Sequence, residues 1–483
     1  MCQSEGVTSA TQVLHQLTSY EPGREWTIPV DDPRVLQGLV VNDVSRFPWF
    51  FKRYSPLLPV VPLPRDLPST TASALTVLAG TEDVARTSLD LRQLARLLHL
   101  SAGVVRTTGR PYGTYLFRAA GSAGGRFPLE LYVVVPDGLD LPAGTHWYHP
   151  VEHALLQVGP PPHSGSPALI VTGIPWRTGW RYRERGYRHL YWDAGTMLSQ
   201  VLAVADSAGL DVGLYSSFPD KAVATLVGAD RVHEIPLAVV SLGAGAPALE
   251  ATGAAIPGEV DAAPLEFPLI TAAQRAGERE TLSPSWYRGA PVDISVPKSA
   301  TIEQVVLARG SQRRMDNTRG LAESVLCISM RVSLRGIDVP HFIVVHDVEG
   351  ISPGLYRWPD LSTPARPASL RDELYRVCLE QALARDAAFV VIAAAQTDAL
   401  DDRQYREVHL AVGLVEGRLH LAAYALGASA SGMTFLDSEV PSLLGEPLDG
   451  LLFTCVGVPG YIATAGGPPG TPTPLRGSRP RQT

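Results

Sequence analysis

The sequence predicts an α+β protein built from two related halves. Helical and strand-like segments are mixed along the chain without a strict strand–helix–strand alternation, which favours an α+β fold over a doubly wound sheet. The length of 483 residues suits two or three domains. The third observation is internal similarity: YRHLYWDAG at 187–195 and YREVHLAVG at 405–413 each lead into an alanine-rich helical pattern.

This similarity extends through five elements in the same order. The pairs Tyr187/Tyr405 and Gly195/Gly413 share an offset of 218 residues. The other matched segments are the strand patterns at 129–144 and 341–354, the apolar strands at 168–174 and 389–395, and the closing strands at 236–243 and 451–458. A collinear series of this kind indicates duplication. We therefore expect two tandem domains that form an intramolecular pseudo-dimer.

Composition divides the chain into five predicted regions. They are an N-terminal arm (1–70), a first half (71–245), a linker (246–297), a second half (298–465) and a tail (466–483). The linker is rich in Ala, Gly and Pro, with one short helix expected near 271–279. The tail is dominated by Gly, Pro and basic residues, which predicts disorder. The arm combines a short amphipathic helix with the extended aromatic stretch FPWFFKRYSPLLPVVPLP.

Charge and composition narrow the possible functions. A net charge of −7 argues against a dedicated nucleic-acid binder. The longest apolar stretch, 387–395, is far shorter than the ~20 residues of a membrane span. The N-terminus lacks the features of a secretion signal, so a cytoplasmic protein is expected. No metal is expected either, because the four cysteines lie far apart and Pro150 interrupts the histidines of HWYHPVEH.

Two short segments have the residue types of a phosphate site and of a close ligand contact. In ARGSQRRM, Arg309, Ser311 and Arg313 follow a helical pattern and could grip a phosphate, although a solvated basic helix end explains them equally well. In AAGSAGGRF, the small residues at 121–125 would let the backbone approach a flat ligand, or would simply form a glycine-rich turn.

Two further segments add candidate polar groups. WRTGWRYRERGYRH, at 176–189, is a dense set of aromatics and arginines that leads into a helix, and a surface ion-pair network is the alternative reading. LGASASGM, at 426–433, reads as a helix end followed by small residues with free amides, which an ordinary glycine-capped terminus would also explain.

Taken together and in this order, the four segments resemble the flavin-dependent nitroreductase superfamily. The branch they resemble is that of the SagB-type azoline dehydrogenases, which oxidise thiazolines and oxazolines to thiazoles and oxazoles in ribosomal peptide natural products such as thiopeptides. The resemblance spans roughly residues 13–458. It implies FMN bound at a dimer-like interface, with the phosphate on an Arg-x-Ser-x-Arg turn of one half and the ring beside a serine-containing turn of the other.

The two halves divide these parts between them. The second half keeps Arg309, Ser311 and Arg313, whereas the matching AGTEDVA segment of the first half lacks arginine. The first half keeps the small-residue turn with Ser122, Ala123 and Gly124, whereas MRVSLRGIDV in the second half has lost it. We therefore expect one intact flavin site and one degenerate site in each chain.

The chemistry of the site needs donors near the flavin ring and a proton acceptor near the substrate. Ser431 and Gly432 are the candidate ring donors. The Lys-Tyr pair of the resembling branch aligns with Arg181 and Tyr182. Arginine is a poor base, so Arg181 is expected to polarise the azoline nitrogen or to bind peptide. Tyr182 would accept the proton only if Arg181 or Arg185 lowered its pKa.

Three hypotheses follow for the function. The first is an FMN-dependent azoline dehydrogenase that acts on a precursor peptide beside a cyclodehydratase. The second is an NAD(P)H-dependent flavin nitroreductase or reductase acting on small molecules. The third is a non-catalytic scaffold of a peptide-modifying complex, which would be colourless after purification.

Overall fold

The computed structural model describes residues 8–25, 32–110, 113–137 and 139–475. Two antiparallel sheets dominate it, one in each half, with helices packed between and around them. Among the described residues, no helix is both long enough and apolar enough to cross a bilayer. The α+β class predicted from the sequence is confirmed.

Among the described residues, helices occur in the arm, in both halves and in the linker. The α-helices are α1 (Ala10–Thr18), α2 (Ala74–Ala79), α3 (Leu91–Ala102), α4 (Pro175–Tyr182), α5 (Gly186–Ser207), α6 (Asp220–Val227), α7 (Pro268–Ala276), α8 (Ile302–Ala308), α9 (Glu323–Ser333), α10 (Arg371–Val377), α11 (Ala382–Asp386), α12 (Asp402–Ala425) and α13 (Val440–Leu444).

The strands cluster in the two halves. They are β1 (Val60–Pro62), β2 (Val104–Arg110), β3 (Gly113–Arg118), β4 (Leu129–Val135), β5 (Gly144–His149), β6 (Ala154–Gly159), β7 (Ala168–Gly173), β8 (Val212–Tyr215), β9 (Ile235–Leu242), β10 (His341–Val345), β11 (Gly354–Arg357), β12 (Phe389–Ala395), β13 (Ser429–Met433), β14 (Asp449–Gly457) and β15 (Thr473–Pro474).

Five strands of the larger main sheet correspond in order and direction to the five strands of the smaller one. The seven-stranded sheet runs β1-β6-β5-β4-β7-β9-β8, and the five-stranded sheet runs β11-β10-β12-β14-β13. All neighbours in both sheets are antiparallel, and corresponding strand pairs carry a register shift at Val171/Thr172 and at Ala393/Ala394. The continuous apolar runs of β4 and β12 are buried, as their composition favours. Whether duplication produced this likeness stays a prediction.

The long helices α5 and α12 bring the two sheets together. They cross where Gly195 of α5 faces Gly413 of α12. A Cβ added to Gly195 would lie 2.3 Å from the carbonyl oxygen of Leu410, and one added to Gly413 would lie 2.5 Å from that of Trp192. The backbones can approach this closely only because neither residue has a side chain. Almost every residue of α5 is buried as a result.

The N-terminal arm is fixed to both halves by buried charges. Asp437 accepts hydrogen bonds from Arg185 at 2.5 Å, from Arg188 at 2.7 Å and from the backbone N–H of Tyr20 at 2.7 Å. Further along the arm, the buried ammonium of Lys52 pairs with Glu234 in the first half. These contacts hold the arm in a fixed position against both halves.

The chain outside the two halves differs in part from the sequence-based picture. The short helix expected near 271–279 is α7. The tail expected to be disordered is ordered from 466 to 475: β15 pairs in parallel with β2, and the N–H groups of Gly466 and Gly467 donate to Leu307 and Val105. The tail is ordered because its backbone groups find hydrogen-bond partners, among them the edge of β2, and composition alone does not reveal such partners. Residues 476–483 lie outside the described part.

Candidate functional site

A single cavity between the halves gathers nine of the ten residues predicted to form the site. It has a volume of about 950 Å³ when the solvent-filled space at its open mouth is included. The predicted residues that line it are Ser122, Ala123, Gly124, Arg181, Tyr182, Ser311, Arg313, Ser431 and Gly432. Because these residues come from both halves, the cavity exists only when α5 and α12 are packed together.

Arg309, the tenth residue, lies directly behind the wall of this cavity. A Cβ added to Gly121 would be 3.4 Å from its Nη1 and 3.8 Å from the hydroxyl of Ser311. Its Nη2 donates to the carbonyl of Ala119 at 2.6 Å, but Nε and Nη1 are buried without a hydrogen-bond partner among the described residues. Burial, helped by the nearby Arg106, lowers the pKa of Arg309 to about 10. A buried cation with two unused donors is suited to an anion.

Arg106 of β2 holds the segment that carries Arg309. Its guanidinium donates to the carbonyls of Leu307 and Arg309, at 2.5 and 2.9 Å, and to that of Thr464 at 2.5 Å. These contacts fix the C-terminal end of α8, which stops at Ala308. Arg106 could not be identified from the sequence, because its partners are backbone atoms far away in the chain.

The small-residue turn is held by a carboxylate from the other side. Asp193 of α5 accepts from the Ser122 hydroxyl at 2.5 Å and from the Ala123 N–H at 2.9 Å. Ser122 in turn accepts from the N–H of Phe127 at 2.8 Å. Burial raises the pKa of Asp193 to about 7, and Glu416 adds to the increase. Sequence reasoning missed Asp193, although it is the acidic residue within the repeated segment YRHLYWDAG.

Gly124 lets the turn approach the predicted catalytic pair. Its φ is +58°, in the left-handed region that favours glycine. A Cβ there would lie 2.6 Å from the Tyr182 hydroxyl oxygen and 2.7 Å from Cδ of Arg181. The turn, Arg181 and Tyr182 therefore form one continuous wall of the cavity.

The structure does not support Tyr182 as a proton acceptor. Its burial raises the pKa of the phenol, and the opposing effect of Arg181 does not overcome it. Arg185 is committed to Asp437 and to the carbonyl of Thr18. Tyr182 would accept a proton only if its pKa were lowered, and this condition is therefore not met. Tyr182 is a neutral hydroxyl that can donate a hydrogen bond.

Ser431 and Gly432 lie on a strand and not in a loop after a helix. They belong to β13, which pairs with β14 and forms the edge of the five-stranded sheet. The predicted helix end is the end of α12 at Ala425, and three residues of turn separate it from this short strand rich in small residues. An edge strand still offers backbone groups to a ligand, because only one side of it is paired.

Several titratable groups on α5 and α12 complete the lining. Glu416 lies 3.3 Å from the hydroxyl of Thr196 and 3.7 Å from Nε2 of His420, and a Cβ on Gly432 would be 2.2 Å from its Oε1. His189 stacks on Tyr182 with ring centroids 4.0 Å apart. Neither ring nitrogen of His189 has a partner among the described residues, and burial next to three arginines lowers its pKa well below the usual value.

The region that corresponds to this cavity when the two halves are exchanged has different residues. The segment matching the arginine turn has Glu82 there, as the sequence indicated. Part of the linker packs alongside: the N–H of Trp286 donates to Leu214 of β8, and that of Val292 donates to Ala79. Strand β8 is the counterpart of β13 in strand order, so the linker covers the edge that β13 leaves open.

Part of the chain is similar to a known family. Residues 86–244 match the model of the nitroreductase family. A protein of Methanocaldococcus jannaschii named as a nitroreductase is 26% identical over 170 residues, which cover 32% of this chain and 81% of that protein.

A solved structure is similar in fold to most of the chain. A crystal structure from Anabaena variabilis, also named as a nitroreductase, aligns with 94% of this chain and 100% of its own at 22% identity, with a TM-score of 0.70. The microcin synthetase McbBCD complex of Escherichia coli, with truncated pro-microcin bound, aligns with 46% of this chain and 79% of its own at 20% identity, with a TM-score of 0.27. The nitroreductase fold predicted from the resemblance is confirmed.

Proposed function

We propose that this protein is an FMN-dependent dehydrogenase that oxidises thiazoline or oxazoline rings to thiazoles or oxazoles in a ribosomally made peptide. The observation that supports the proposal most strongly is the convergence of nine predicted residues on one cavity, with the buried Arg309 behind it. The cofactor is FMN, in line with the family of the matched domain. FMN supplies the hydride acceptor when it is bound.

The residues present fit FMN at both of its ends. Nε and Nη1 of Arg309 are unpartnered donors for a phosphate, and Ser311 and Arg313 line the cavity beside it. At the other end, the Ser122–Gly124 turn and the edge strand β13 present small residues and backbone groups suited to a flat ring. Only one such set exists among the described residues, because Glu82 and the linker occupy the corresponding region.

Arg181 and Tyr182 then face the substrate as hydrogen-bond donors. An arginine side chain has only hydrogen-bond donors, and burial keeps Tyr182 a neutral phenol. Both can donate to the nitrogen of an azoline ring or to a neighbouring peptide carbonyl. Such donors draw electron density from the ring and orient it, while the dry cavity strengthens each contact.

A small-molecule nitroreductase is the second candidate, because the archaeal relative named as a nitroreductase matches the first half. The two candidates differ in the compound that reduces the flavin. Under the main proposal that compound is the azoline peptide, and under the second it is NAD(P)H.

The test is an anaerobic mixing experiment with the FMN-loaded protein. Under the main proposal, a peptide bearing a thiazoline bleaches the flavin absorbance and loses 2 Da, whereas NADPH does not bleach it rapidly. Rapid bleaching by NADPH together with no reaction of the peptide would overturn the proposal and favour the nitroreductase. The same peptide with the thiazoline already oxidised is the matched control. An azoline peptide requires a prior ring-forming reaction, so a cyclodehydratase is the proposed partner, and we propose that the reaction takes place in the cytoplasm.

A further inference from the structure

Oxidation of an azoline requires a base, and the pair predicted from the sequence does not provide one. The ring loses two hydrogens from adjacent carbons: one leaves as a hydride with its electron pair to FMN, and the other leaves as a proton. A new double bond forms between the two ring atoms, the azoline is oxidised and FMN is reduced. Arg181 cannot accept the proton, and burial raises the pKa of Tyr182.

Four other titratable side chains line the cavity: His189, Asp193, Glu416 and His420. His189 is a weak acceptor, because burial lowers its pKa, and the charges of Arg185, Arg188 and Arg181 lower it further. Burial also lowers the pKa of His420, with Arg309 nearby. Neither imidazole can readily hold a proton in these surroundings.

Glu416 attracts Arg309, the residue assigned to the phosphate, and contacts His420 and Thr196. Asp193 instead holds the Ser122–Ala123 turn with both of its oxygens, and the next residue of that turn, Gly124, contacts Tyr182 and Arg181. Of the two carboxylates, Asp193 is therefore the one beside the residues proposed to bind the azoline.

We infer that Asp193 is the proton acceptor in the oxidation of the azoline ring. This inference rests on the proposed function. Asp193 is 5% exposed and lines the cavity, and each of its carboxylate oxygens retains lone pairs beyond the bonds to Ser122 and Ala123. Taking up a proton removes a buried negative charge, so the surroundings favour the transfer.

The hydrogen bonds of the turn also orient the carboxylate. Ser122 accepts from Phe127 N–H, so its own proton points to Asp193. The Ala123 N–H fixes the second oxygen. The acceptor is thus held rigidly by two bonds that Asn can reproduce, since an amide oxygen accepts from Ala123 while the amide nitrogen donates to Ser122.

The decisive experiment compares two ways of reducing the flavin in Asp193→Asn. Reduction by a thiazoline peptide needs a proton acceptor, whereas reduction by dithionite does not. We expect Asp193→Asn to bind FMN normally, to be reduced fully by dithionite, and to be reduced by the peptide at least 10²-fold more slowly than the wild type. Asp206→Asn is the matched control, because Asp206 lies on the same helix but pairs with Arg288 away from the cavity. It should retain the wild-type rate.

The possible outcomes separate the inference from the function it rests on. If the peptide does not reduce the wild-type flavin, the proposed function fails. If the peptide reduces wild type and Asp193→Asn at the same rate, only the role of Asp193 is refuted.

The wild type alone supplies a second test that needs no variant. Peptide-driven reduction should become faster as the pH rises through about 7, because only the carboxylate form of Asp193 accepts a proton. Among the described residues, Glu416 of α12 and Tyr182 of α4 interact electrostatically with Asp193, and Arg181 of α4 and His189 of α5 line the same cavity. A rate that does not change between pH 5.5 and 8.5 would contradict the inference.

Discussion

Replacement of Arg309 by methionine should separate flavin binding from stability. Methionine has a similar length and no charge, so the cavity wall is kept while the anion donors are lost. Lowering the pKa of Arg309 from 12.5 to about 10 corresponds to about 3 kcal/mol of unfavourable burial of the charge in the flavin-free protein. The bond to Ala119 is lost as well and offsets part of any gain.

The two effects of Arg309→Met have opposite signs. The flavin-free variant should unfold at the same urea concentration as the wild type or a higher one, with a gain of at most about 3 kcal/mol. Affinity for FMN should fall at least about 10²-fold, because two charge-assisted hydrogen bonds of ~1.5–3 kcal/mol each are lost. Addition of FMN should accordingly stabilise the wild type and not the variant.

Urea unfolding of the flavin-free proteins and quenching of FMN fluorescence measure the two quantities. Arg314→Met is the matched control, because Arg314 is exposed, lies over the ring of Tyr461 and does not line the cavity. It should bind FMN with unchanged affinity. Unchanged FMN affinity in Arg309→Met would refute the assignment of the phosphate to this arginine. A flavin-free variant that is several kcal/mol less stable would refute the argument that the charge is unfavourable without an anion.

Three further predictions concern the turn, the buried carboxylate and the helix crossing. Gly124→Ala should weaken FMN binding and destabilise the protein in urea by more than Gly427→Ala does. Gly427 is the control, because its φ is also positive but an added Cβ would meet nothing within 4 Å. Equal effects of the two substitutions would mean that contact with Tyr182 and Arg181 is unimportant. The pKa of Asp193 in the folded state, about 7, exceeds its ordinary value of 3.8. The contribution of protonated Asp193 to the free energy of unfolding is therefore complete below pH 4 and is lost as the pH rises through 7. Asp193→Asn should therefore match the wild type near pH 4 and exceed it by up to about 4 kcal/mol above pH 7, and a constant difference across this range in urea unfolding would contradict the prediction. Gly413→Ala places a methyl group 2.5 Å from the carbonyl oxygen of Trp192 and should cost about 3 kcal/mol or more together with FMN binding, whereas a melting temperature equal to that of the wild type would show that the helices separate freely.

The parts of the site that could be predicted were those with a local signal. The Arg309–Arg313 segment and the 121–125 turn each combine residue types that identify a phosphate contact or a close backbone approach within a few positions of sequence. The likeness of the halves could be read from collinear segments, because strand and helix patterns are themselves local. These features lie together in the structure because α5 and α12 cross at two glycines, and both glycines were part of the repeated segments.

The parts that could not be predicted depend on contacts between distant segments. The role of Asp193 arises from its position opposite Ser122, 71 residues earlier in the chain, and its raised pKa arises from burial, which no short pattern reports. The same is true of Arg106, whose partners are carbonyls about 200 residues or more away. Tyr182 was a candidate proton acceptor only if Arg181 or Arg185 lowered its pKa, but burial outweighs the effect of Arg181, and Arg185 pairs with Asp437.

The ratio of flavin to protein chain in the purified holoprotein tests the central claim most directly. Release of the cofactor by heat, identification by mass and quantification by absorbance give this number. One FMN per chain is expected, because the turn of one half and the arginine segment of the other form one cavity while the linker covers the corresponding edge strand of the first half. A colourless protein that takes up no FMN, or one that holds two per chain, would contradict the account.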